Sequence, residues 1–276
     1  MVKKIAFANF KGGVGKTSNS CMVAYELSKM GKRVLLVDLD PQANATSLLL
    51  MTAQNIKEHV IAFDTTLMAA ISQGDLRPIV TEIKENLDLL PSFADFTSYG
   101  LYLEKKYPNS QKDRVYHFSN LLKELEGDYD YIIMDTPPTL SIYTDSAVAC
   151  SDEVVIVMQT QKRSLVGAEG FVGYLQEMVD TYGMDLSILG ILPVLMKNDS
   201  PLDNATLRRA VATFGEENLF QNVVSHSERV KRYDETGITD NDFKNDNRIT
   251  DPHDKRTHEF YTEVAKEFLE RMNANG

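Results

Sequence analysis

The stretch ANFKGGVGKTS, residues 8–18, constrains the fold more than any other part of the sequence. It follows a short apolar run at 2–9 that is typical of a buried strand, and it leads into an amphipathic stretch of helix length. Three closely spaced glycines in such a turn let backbone N–H groups point inward and form a nest for an anion, which the helix dipole reinforces. The stretch therefore predicts a phosphate-binding loop between a strand and a helix.

The side chains of this loop predict how it would bind a nucleotide. Lys16 stands where an ammonium reaches the β- and γ-phosphates, and Thr17 stands where a hydroxyl binds Mg²⁺. The loop departs from the usual G-x-x-x-x-G-K-[ST] pattern, because Phe10 replaces the first glycine and a second cation, Lys11, follows it. We expect nucleotide contacts from Lys11, Gly12, Gly13, Val14, Gly15, Lys16, Thr17 and Ser18.

Apolar runs and amphipathic stretches alternate along the chain. This alternation predicts a doubly wound α/β fold, with a mostly parallel sheet covered by helices on both faces. We predict strands at 3–9, 33–38, 87–92, 129–135, 153–159, 186–194 and 220–225. We predict helices at 16–30, about 66–72, 113–126, 164–182, 202–213 and 256–272.

Length and charge limit the remaining choices. The 276 residues, 43% of them hydrophobic, suit a single domain over 1–276, with a polar surface loop at about 234–256 and a C-terminal helix at about 256–272. A net charge of −11 argues against a uniformly basic surface but leaves room for a local basic patch. We expect no membrane span, since no run of about 18 apolar residues occurs. We also expect no signal peptide, because a strand pattern begins almost at once.

Two acidic stretches end predicted strands. In VDLDPQANATS at 37–47, Asp38 and Asp40 are two residues apart and so face the same side of an extended chain. In DYDYIIMDTPPT at 128–139, an apolar run leads into Asp135, whose carboxylate is expected to hold Mg²⁺ through water. Both stretches predict carboxylates beside the phosphate loop, because ligands bind at the carboxyl ends of parallel strands.

The three motifs together resemble a known family. KGGVGKT after an N-terminal strand, D-x-D-P-Q-x-N at 38–44 and D-T-P-P at 135–138 are similar to the deviant Walker A box and later boxes of the ParA/MinD family of ATPases. The resemblance runs from residue 2 to about 232. It implies a P-loop NTPase that binds ATP and Mg²⁺, with weak intrinsic hydrolysis that a partner protein stimulates.

The resemblance also implies roles for individual residues. Lys11 would cross the interface of an ATP-sandwiched homodimer into the partner's nucleotide, Asp40 would position the attacking water, and Asp38 would contact Mg²⁺ or its waters. We therefore expect catalytic residues at Lys11, Lys16 and Asp40. The expected metal ligands are Thr17, Asp38 and Asp135.

A late basic segment indicates which branch of the family the chain resembles. Cations outnumber acidic residues within 204–232, and VVSHSERVKRYDETG resembles the family segment in which an arginine, here Arg229, contacts DNA phosphates. The branch is the short partition ATPase that binds nucleoid DNA without sequence preference as the ATP dimer. It implies a ParB-type centromere-binding adaptor and a cytoplasmic, nucleoid-associated location. The cargo can be a plasmid or a chromosome, and we expect a plasmid. The expected DNA-binding residues are Arg208, Arg209, Arg229, Lys231 and Arg232.

Two alternatives stay open. A MinD-like membrane-associated positioning ATPase needs a basic amphipathic C-terminal helix, whereas the last predicted helix is rich in acidic residues. We expect its apolar side to pack on the core; this side carries Phe260, Val264, Phe268 and Met272. A plain P-loop enzyme acting on a small phosphoacceptor would instead have a substrate pocket and no ATP-driven dimer.

Overall fold

A seven-stranded sheet forms the centre of the computed structural model, which describes residues 1–57, 60–197, 200–240 and 251–274. The strands, β1 to β7, are Lys3–Ala8, Val34–Asp38, Thr81–Lys84, Leu87–Leu90, Tyr131–Asp135, Glu153–Gln159 and Ser187–Val194. Their order across the sheet is β3-β4-β2-β5-β1-β6-β7. All neighbours are parallel except the edge pair β3 and β4, so the predicted doubly wound, mostly parallel α/β fold is confirmed.

The central strands are buried on both faces, as their near-continuous apolar sequences predict. In β1, Ala6 and Ala8 belong to the hydrophobic core on one face of the sheet, while Ile5 and Phe7 belong to the core on the other. Both cores are closed by helices. These helices, α1 to α10, are Lys16–Lys29, Asn44–Lys57, Leu67–Gln73, Tyr99–Lys106, Gln111–Leu122, Ile142–Cys150, Lys162–Tyr182, Pro201–Phe214, Glu228–Thr236 and Pro252–Ala274.

The register of the central strands brings their carboxyl ends to one place. Asp135 at the end of β5 pairs with Asp38 at the end of β2 and with Phe7 near the end of β1. The loop from β1 to α1 and the turn after β2 therefore begin side by side. This edge of the sheet positions the candidate site.

Several predicted elements differ from the structure. The strand predicted at 220–225 is wrong: this segment makes one isolated bridge, Ser225 to Met196, and hydrogen bonds to the β7 region, including Phe220 N–H to Ile191 O at 2.9 Å. Strand β3 and helices α2, α4, α6 and α9 are additional to the predicted elements. Helix α2 buries Ala45, Leu48, Leu49 and Ala53 at helical spacing, so its pattern was present and was missed. Helix α9 is short and polar, with Val230 and Tyr233 as its apolar residues.

The polar loop predicted at about 234–256 is shorter at both ends. Its first residues complete α9, and α10 already begins at Pro252, while 241–250 lie outside the described residues. Gly237, which ends α9, adopts a φ of 72° and passes so close to the backbone of Thr52 that a Cβ atom would lie 2.5 Å from the Thr52 nitrogen. Only glycine fits this contact between α9 and α2.

Helix α10 packs against the core as predicted. Val264, Phe268 and Met272 are buried along one side of the helix, and Phe268 stacks on Phe7 with ring centroids 6.4 Å apart. The apolar stripe is therefore covered by the chain itself. In the described part of the chain, no helix is both long enough and apolar enough to cross a bilayer.

Candidate nucleotide site

The turn between β1 and α1 has the backbone shape of a phosphate loop. Gly13 and Gly15 have φ values of 68° and 82°, in the left-handed region that side chains other than glycine rarely adopt. Gly15 is the N-cap of α1, and no side chain caps the first turn of this helix. The first N–H groups of α1 are therefore left for an anion, and the helix dipole favours a negative charge there.

Lys16 lies inside this turn. Its side chain is buried, and its Nζ donates to the backbone oxygen of Lys11 at 3.3 Å. Burial lowers the pKa of Lys16, while the carboxylates of Asp135 and Asp40 act in the opposite direction. An ammonium that is bound by a loop carbonyl and forms no ion pair with a carboxylate of the described residues is suited to binding phosphate oxygens that enter the loop.

Lys11 takes a different position from Lys16. Its Nζ reaches away from the loop to the end of β6 and the start of α7, where three neutral oxygens accept from it: Gln159 Oε1 at 3.2 Å, Gln161 Oε1 at 3.1 Å and Ser164 Oγ at 3.1 Å. These three acceptors are absent from the sequence motif and were not predicted. Nothing in their local sequence pointed to them, because they lie about 150 residues from Lys11.

Asp135 is the carboxylate closest to the loop. It is fully buried and accepts from Thr17 Oγ1 at 2.7 Å and from Ser20 Oγ at 3.2 Å. Burial, together with the charge of Asp38, raises the pKa of Asp135 to about 7. Ser20 was not predicted, although its position three residues after Thr17 on the same helix face could have indicated it.

Asp38 is also fully buried, but protein donors occupy both of its oxygens. Oδ1 accepts from the Asp40 N–H at 3.0 Å, and Oδ2 accepts from Thr46 through its N–H at 2.8 Å and its hydroxyl at 2.7 Å. Burial raises the pKa of Asp38 to about 6 in spite of these hydrogen bonds. The Asp38 carboxylate therefore holds the turn that carries Asp40, and its contact with Mg²⁺ or its waters stays a prediction. Thr46, at the start of α2, was missed.

Asp40 stands two residues beyond the end of β2 and is buried. One of its oxygens accepts from the Gln42 N–H at 2.9 Å, and the other has no hydrogen bond from any residue that the structure describes. Its backbone is fixed by the Asp38 hydrogen bond and by the Ala43 N–H, which donates to Asp40 O at 2.9 Å. A rigid carboxylate with one open oxygen is suited to holding a water molecule.

The oxygens of Thr17 and Asp135 fit a magnesium ion. Mg²⁺ prefers hard oxygen ligands, usually one or two carboxylates combined with water and phosphate oxygens. Within 1–57, 60–197, 200–240 and 251–274, no cluster of three or more His, Cys, Asp or Glu side chains could hold a metal by itself. A metal here would therefore take most of its ligands from a bound nucleotide and from water.

The predicted DNA-binding residues lie on two helices. Arg208 and Arg209 on α8 are exposed, and Arg232 on α9 is exposed without a side-chain partner among the described residues. Lys231 is exposed and pairs with Glu228 at 3.1 Å. Arg229 differs from the others: its side chain is only 15% exposed and forms a bidentate ion pair with the buried Asp254, and its contact with DNA stays a prediction.

A cavity of about 570 Å³ opens between the start of α9 and the first turns of α10. Tyr261 lines it and donates to Asn19 Oδ1 at 3.1 Å, and Asn19 in turn donates to the Gly15 oxygen at 2.7 Å. The cavity therefore lies within two side chains of the phosphate loop. Its other lining residues are mainly from 224–230, with Arg232, Asp251, His253, Arg256, Thr257 and Phe260.

Comparisons with known proteins find relatives in sequence and in fold over most of the chain. A family model described as an AAA domain matches residues 2–188. The chromosome-partitioning ATPase Soj of Thermus thermophilus is 32% identical over 238 residues, which cover 86% of this chain and 87% of that protein. The sporulation initiation inhibitor protein Soj of Bacillus subtilis is 34% identical over 197 residues, covering 71% and 74% of the two chains. A variant of Cyanothece McdA in complex with ATP has a TM-score of 0.78 at 20% identity, covering 100% of this chain and 96% of that one.

Proposed function

The chain belongs to the ParA/MinD family of partition ATPases, and we propose that it segregates a plasmid as an ATP-dependent dimer that binds nucleoid DNA without sequence preference. A ParB-type adaptor bound at the centromere would stimulate hydrolysis and so release the monomers from DNA. This cycle would keep the protein on the nucleoid only while ATP is bound.

One observation carries the proposal: the two lysines of the phosphate loop have separate surroundings. Lys16 lies within the loop near two carboxylates, whereas the Nζ of Lys11 lies outside it among neutral oxygens. A single lysine is enough to bind the nucleotide of its own subunit. The position of Lys11 favours a role toward a second nucleotide, as the family resemblance implies. ATP would then favour the dimer, because each triphosphate binds residues of both subunits.

Each residue of the site has a role in hydrolysis under this proposal. The N–H groups of the loop and Lys16 bind the β- and γ-phosphates, and the open oxygen of Asp40 orients water toward the γ-phosphate. Lys11 of the second subunit neutralises charge on the transferred phosphoryl group. When bound at Thr17 and Asp135, Mg²⁺ would supply further neutralisation of the phosphate charge. Weak intrinsic activity is expected, since the partner protein completes the arrangement.

We assign the nucleobase to the cavity between α9 and α10. Tyr261 and Asn19 connect this cavity to the phosphate loop, and its lining combines aromatic rings with polar groups, as base pockets do. The preference for adenine rests on the family resemblance. Substitution of Tyr261 by Leu should weaken binding of ATP more than binding of inorganic triphosphate, in competition titrations against a fluorescent ATP analogue.

DNA binding is assigned to the exposed cations of α8 and α9. The set is Arg208, Arg209, Lys231 and Arg232, and two copies of it in a dimer would form a longer basic strip. Because these contacts would be to phosphates, affinity should fall steeply with salt. The assay is fluorescence anisotropy with duplexes of unrelated sequence, in ATP and in ADP, at several salt concentrations. Equal binding in ATP and ADP, or binding that is insensitive to salt, would contradict the proposal.

Substitutions in α8 test the location of the DNA surface. The double variant Arg208→Ala with Arg209→Ala should weaken binding to all sequences alike and should reduce the salt dependence. Lys105→Ala, an exposed cation on α4, is the matched control and should leave the affinity unchanged. If the control and the double variant behave alike, α8 is not part of the surface.

Two substitutions in the site test the cycle. Lys11→Ala should abolish the ATP-dependent dimer, measured by analytical ultracentrifugation, while monomers still bind nucleotide. Asp40→Ala should bind ATP but hydrolyse it at least about 100-fold more slowly, and should stay on DNA as a dimer. An ATP-dependent dimer that persists in Lys11→Ala would show that the lysine does not act between subunits.

The membrane alternative makes the opposite prediction. It needs a free apolar face on α10, whereas Val264, Phe268 and Met272 are buried in the core. Sedimentation with anionic vesicles in the presence of ATP should leave the protein in the supernatant. Pelleting that depends on residues 256–276 would support a membrane role. The other alternative, a plain P-loop enzyme, would be supported if the protein phosphorylated a small acceptor without forming a dimer.

A further inference from the structure

Arg163 lies beside the place where the Lys11 ammonium is held. It stands between Gln161 and Ser164, both of which accept a hydrogen bond from Lys11 Nζ. Arg163 is exposed, and its guanidinium has no hydrogen bond or ion pair with any part of the chain that the structure describes. Its neighbours one turn later on α7 are Val166 and Gly167, so the helix provides no acidic partner.

Lys11 and Arg163 repel one another, and no carboxylate of the described residues pairs with either of them. Burial lowers the pKa of Lys11, and the charge of Arg163 lowers it further. Among the described residues, the acceptors of Lys11 Nζ are all neutral. An anion that arrives at this surface would relieve the repulsion and find donors that have no competing carboxylate.

The surroundings favour a second copy of the chain as the source of that anion. Exposed apolar side chains border the loop: Val166 is 59% exposed and Leu140 is 60% exposed. The segments of both residues lie against the loop. Next to Val166, a Cβ atom built on Gly167 would lie 3.4 Å from Asn9 Oδ1. Near Leu140, Pro138 Cβ would lie 3.6 Å from a Cβ atom built on Gly12. Lys16 already binds the triphosphate of its own subunit, so that triphosphate does not require Arg163 as well. A net charge of −11 on each copy also means that two copies need local positive charge in order to meet.

We propose that Arg163 binds the triphosphate of the opposing subunit together with Lys11, so that each nucleotide in the dimer receives two cations from across the interface. This inference rests on the proposed ATP-dependent dimer. The guanidinium would add a planar, bidentate donor to the point charge of the lysine. It would therefore contribute to assembly of the dimer and not to binding of nucleotide by the monomer.

The experiment compares Arg163→Ala with Lys162→Ala, which removes the adjacent exposed cation. Dimer dissociation constants are measured by sedimentation velocity with Mg²⁺ and a non-hydrolysable ATP analogue, and monomer affinity is measured at low protein concentration with a fluorescent analogue. Arg163→Ala should raise the dimer dissociation constant about tenfold or more, because the variant dimer lacks two charge-assisted contacts, one at each nucleotide. Lys162→Ala should change it less than about twofold. Monomer affinity should stay within about twofold of wild type for both variants. Arg163→Lys should restore only part of the loss.

Three results would overturn the inference. Arg163→Ala could dimerise like wild type, or Arg163→Ala and Lys162→Ala could lose affinity equally, which would indicate a general effect of charge. Arg163→Ala could also weaken nucleotide binding by the monomer as much as dimerisation, which would place the arginine on its own subunit's nucleotide. A wild-type protein that stays monomeric with the analogue would refute the proposed function itself, and the inference with it.

Discussion

The edge of the sheet at the phosphate loop and the packing of α9 against α10 use charged residues in opposite ways. At the phosphate loop, Lys11 has only neutral acceptors and Arg163 has no partner among the described residues. Between α9 and α10, Arg229 is bound by Asp254, and the same carboxylate accepts from Tyr233 Oη at 2.7 Å and from Thr239 Oγ1 at 2.9 Å. The first arrangement leaves positive charge for a ligand, while the second neutralises it within the fold.

This difference teaches what to look for when a basic residue is assigned to a polyanion. A buried carboxylate with three donors holds its arginine by an ion pair that DNA phosphate would have to replace, and the replacement would leave the carboxylate buried without its cation. A cation among neutral groups moves at little cost. Whether a basic residue is available to bind a polyanion therefore depends less on its own charge than on the charge of the side chains that surround it.

The largest expected effect tests the structural role of Arg229. Arg229→Ala should lower the free energy of unfolding by about 3–5 kcal/mol, because it leaves Asp254 as an uncompensated buried charge. The measurement is urea denaturation followed by circular dichroism. Arg232→Ala, an exposed position on the same helix, should stay within about 0.5 kcal/mol of wild type. If Arg229→Ala unfolds like wild type and loses only DNA binding, Arg229 is not neutralised within the fold, and the contrast between the two regions is wrong.

A smaller effect is expected at Asp38, which lies at the phosphate-loop edge but is held by donors of the protein, as Asp254 is. Thr46→Val removes a hydroxyl that donates to the buried Asp38 carboxylate and should cost about 1.5–3 kcal/mol of unfolding free energy. It should also lower the ATPase rate, because Asp38 holds the turn that carries Asp40. Ser47→Ala, at the adjacent exposed position, is the control for denaturation and steady-state hydrolysis. Unchanged stability in Thr46→Val would mean that Asp38 does not depend on this donor.

A still smaller effect is expected from the acceptors that hold Lys11. Gln161→Ala removes one exposed hydrogen bond to the Lys11 ammonium, which is worth about 0.5–1 kcal/mol. If Lys11 must leave this position to reach a second subunit, each dimer releases two such lysines, and the ATP-dependent dimer should become about five- to thirtyfold tighter in the sedimentation assay used for Arg163. Gln176→Ala, later on α7, is the matched control. A weaker dimer in Gln161→Ala would indicate that the glutamine itself belongs to the interface.

The smallest expected effect is on the pH dependence of stability. His258 is buried, with Nδ1 beside the Glu26 carboxylate and Nε2 at 2.9 Å from the Thr239 oxygen, so both nitrogens face acceptors. Burial opposes the charged ring, but the Glu26 hydrogen bond and the nearby Asp240 raise the pKa of His258 above its ordinary 6.5. Its stabilising contribution should therefore be complete below pH 6.5 and should be lost as the pH rises through the raised pKa.

The check for this effect is the difference in melting temperature between wild type and His258→Gln from pH 6 to pH 9. The difference should be largest at low pH and should shrink as the pH rises. His253→Gln, an exposed histidine on α10, should follow wild type throughout. A difference that grows with pH would mean that the ring is buried in its neutral form.

Much of the phosphate-loop edge could be predicted from the sequence, because its residues are close together in the chain or end neighbouring strands. Gly15, Lys16 and Thr17 act through local backbone geometry, and an apolar run that ends in Asp135 marks the end of a buried strand. The same reasoning did not find the ion pair of Arg229, since its partner is 25 residues away on a helix that the pattern predicted to begin later. It also missed the groups that bind Lys11 and Asp38.

The amino-acid sequence alone determined that this chain forms a doubly wound sheet with a phosphate loop, because the period of apolar residues and the position of glycines act over a few residues at a time. Only the tertiary structure decided which charged residues remain available. It placed Lys11 among the neutral oxygens of β6 and α7, and it enclosed Arg229 with Asp254. The physical reason is that the availability of a charge depends on burial and on partners that are distant in the chain, and only folding brings these together.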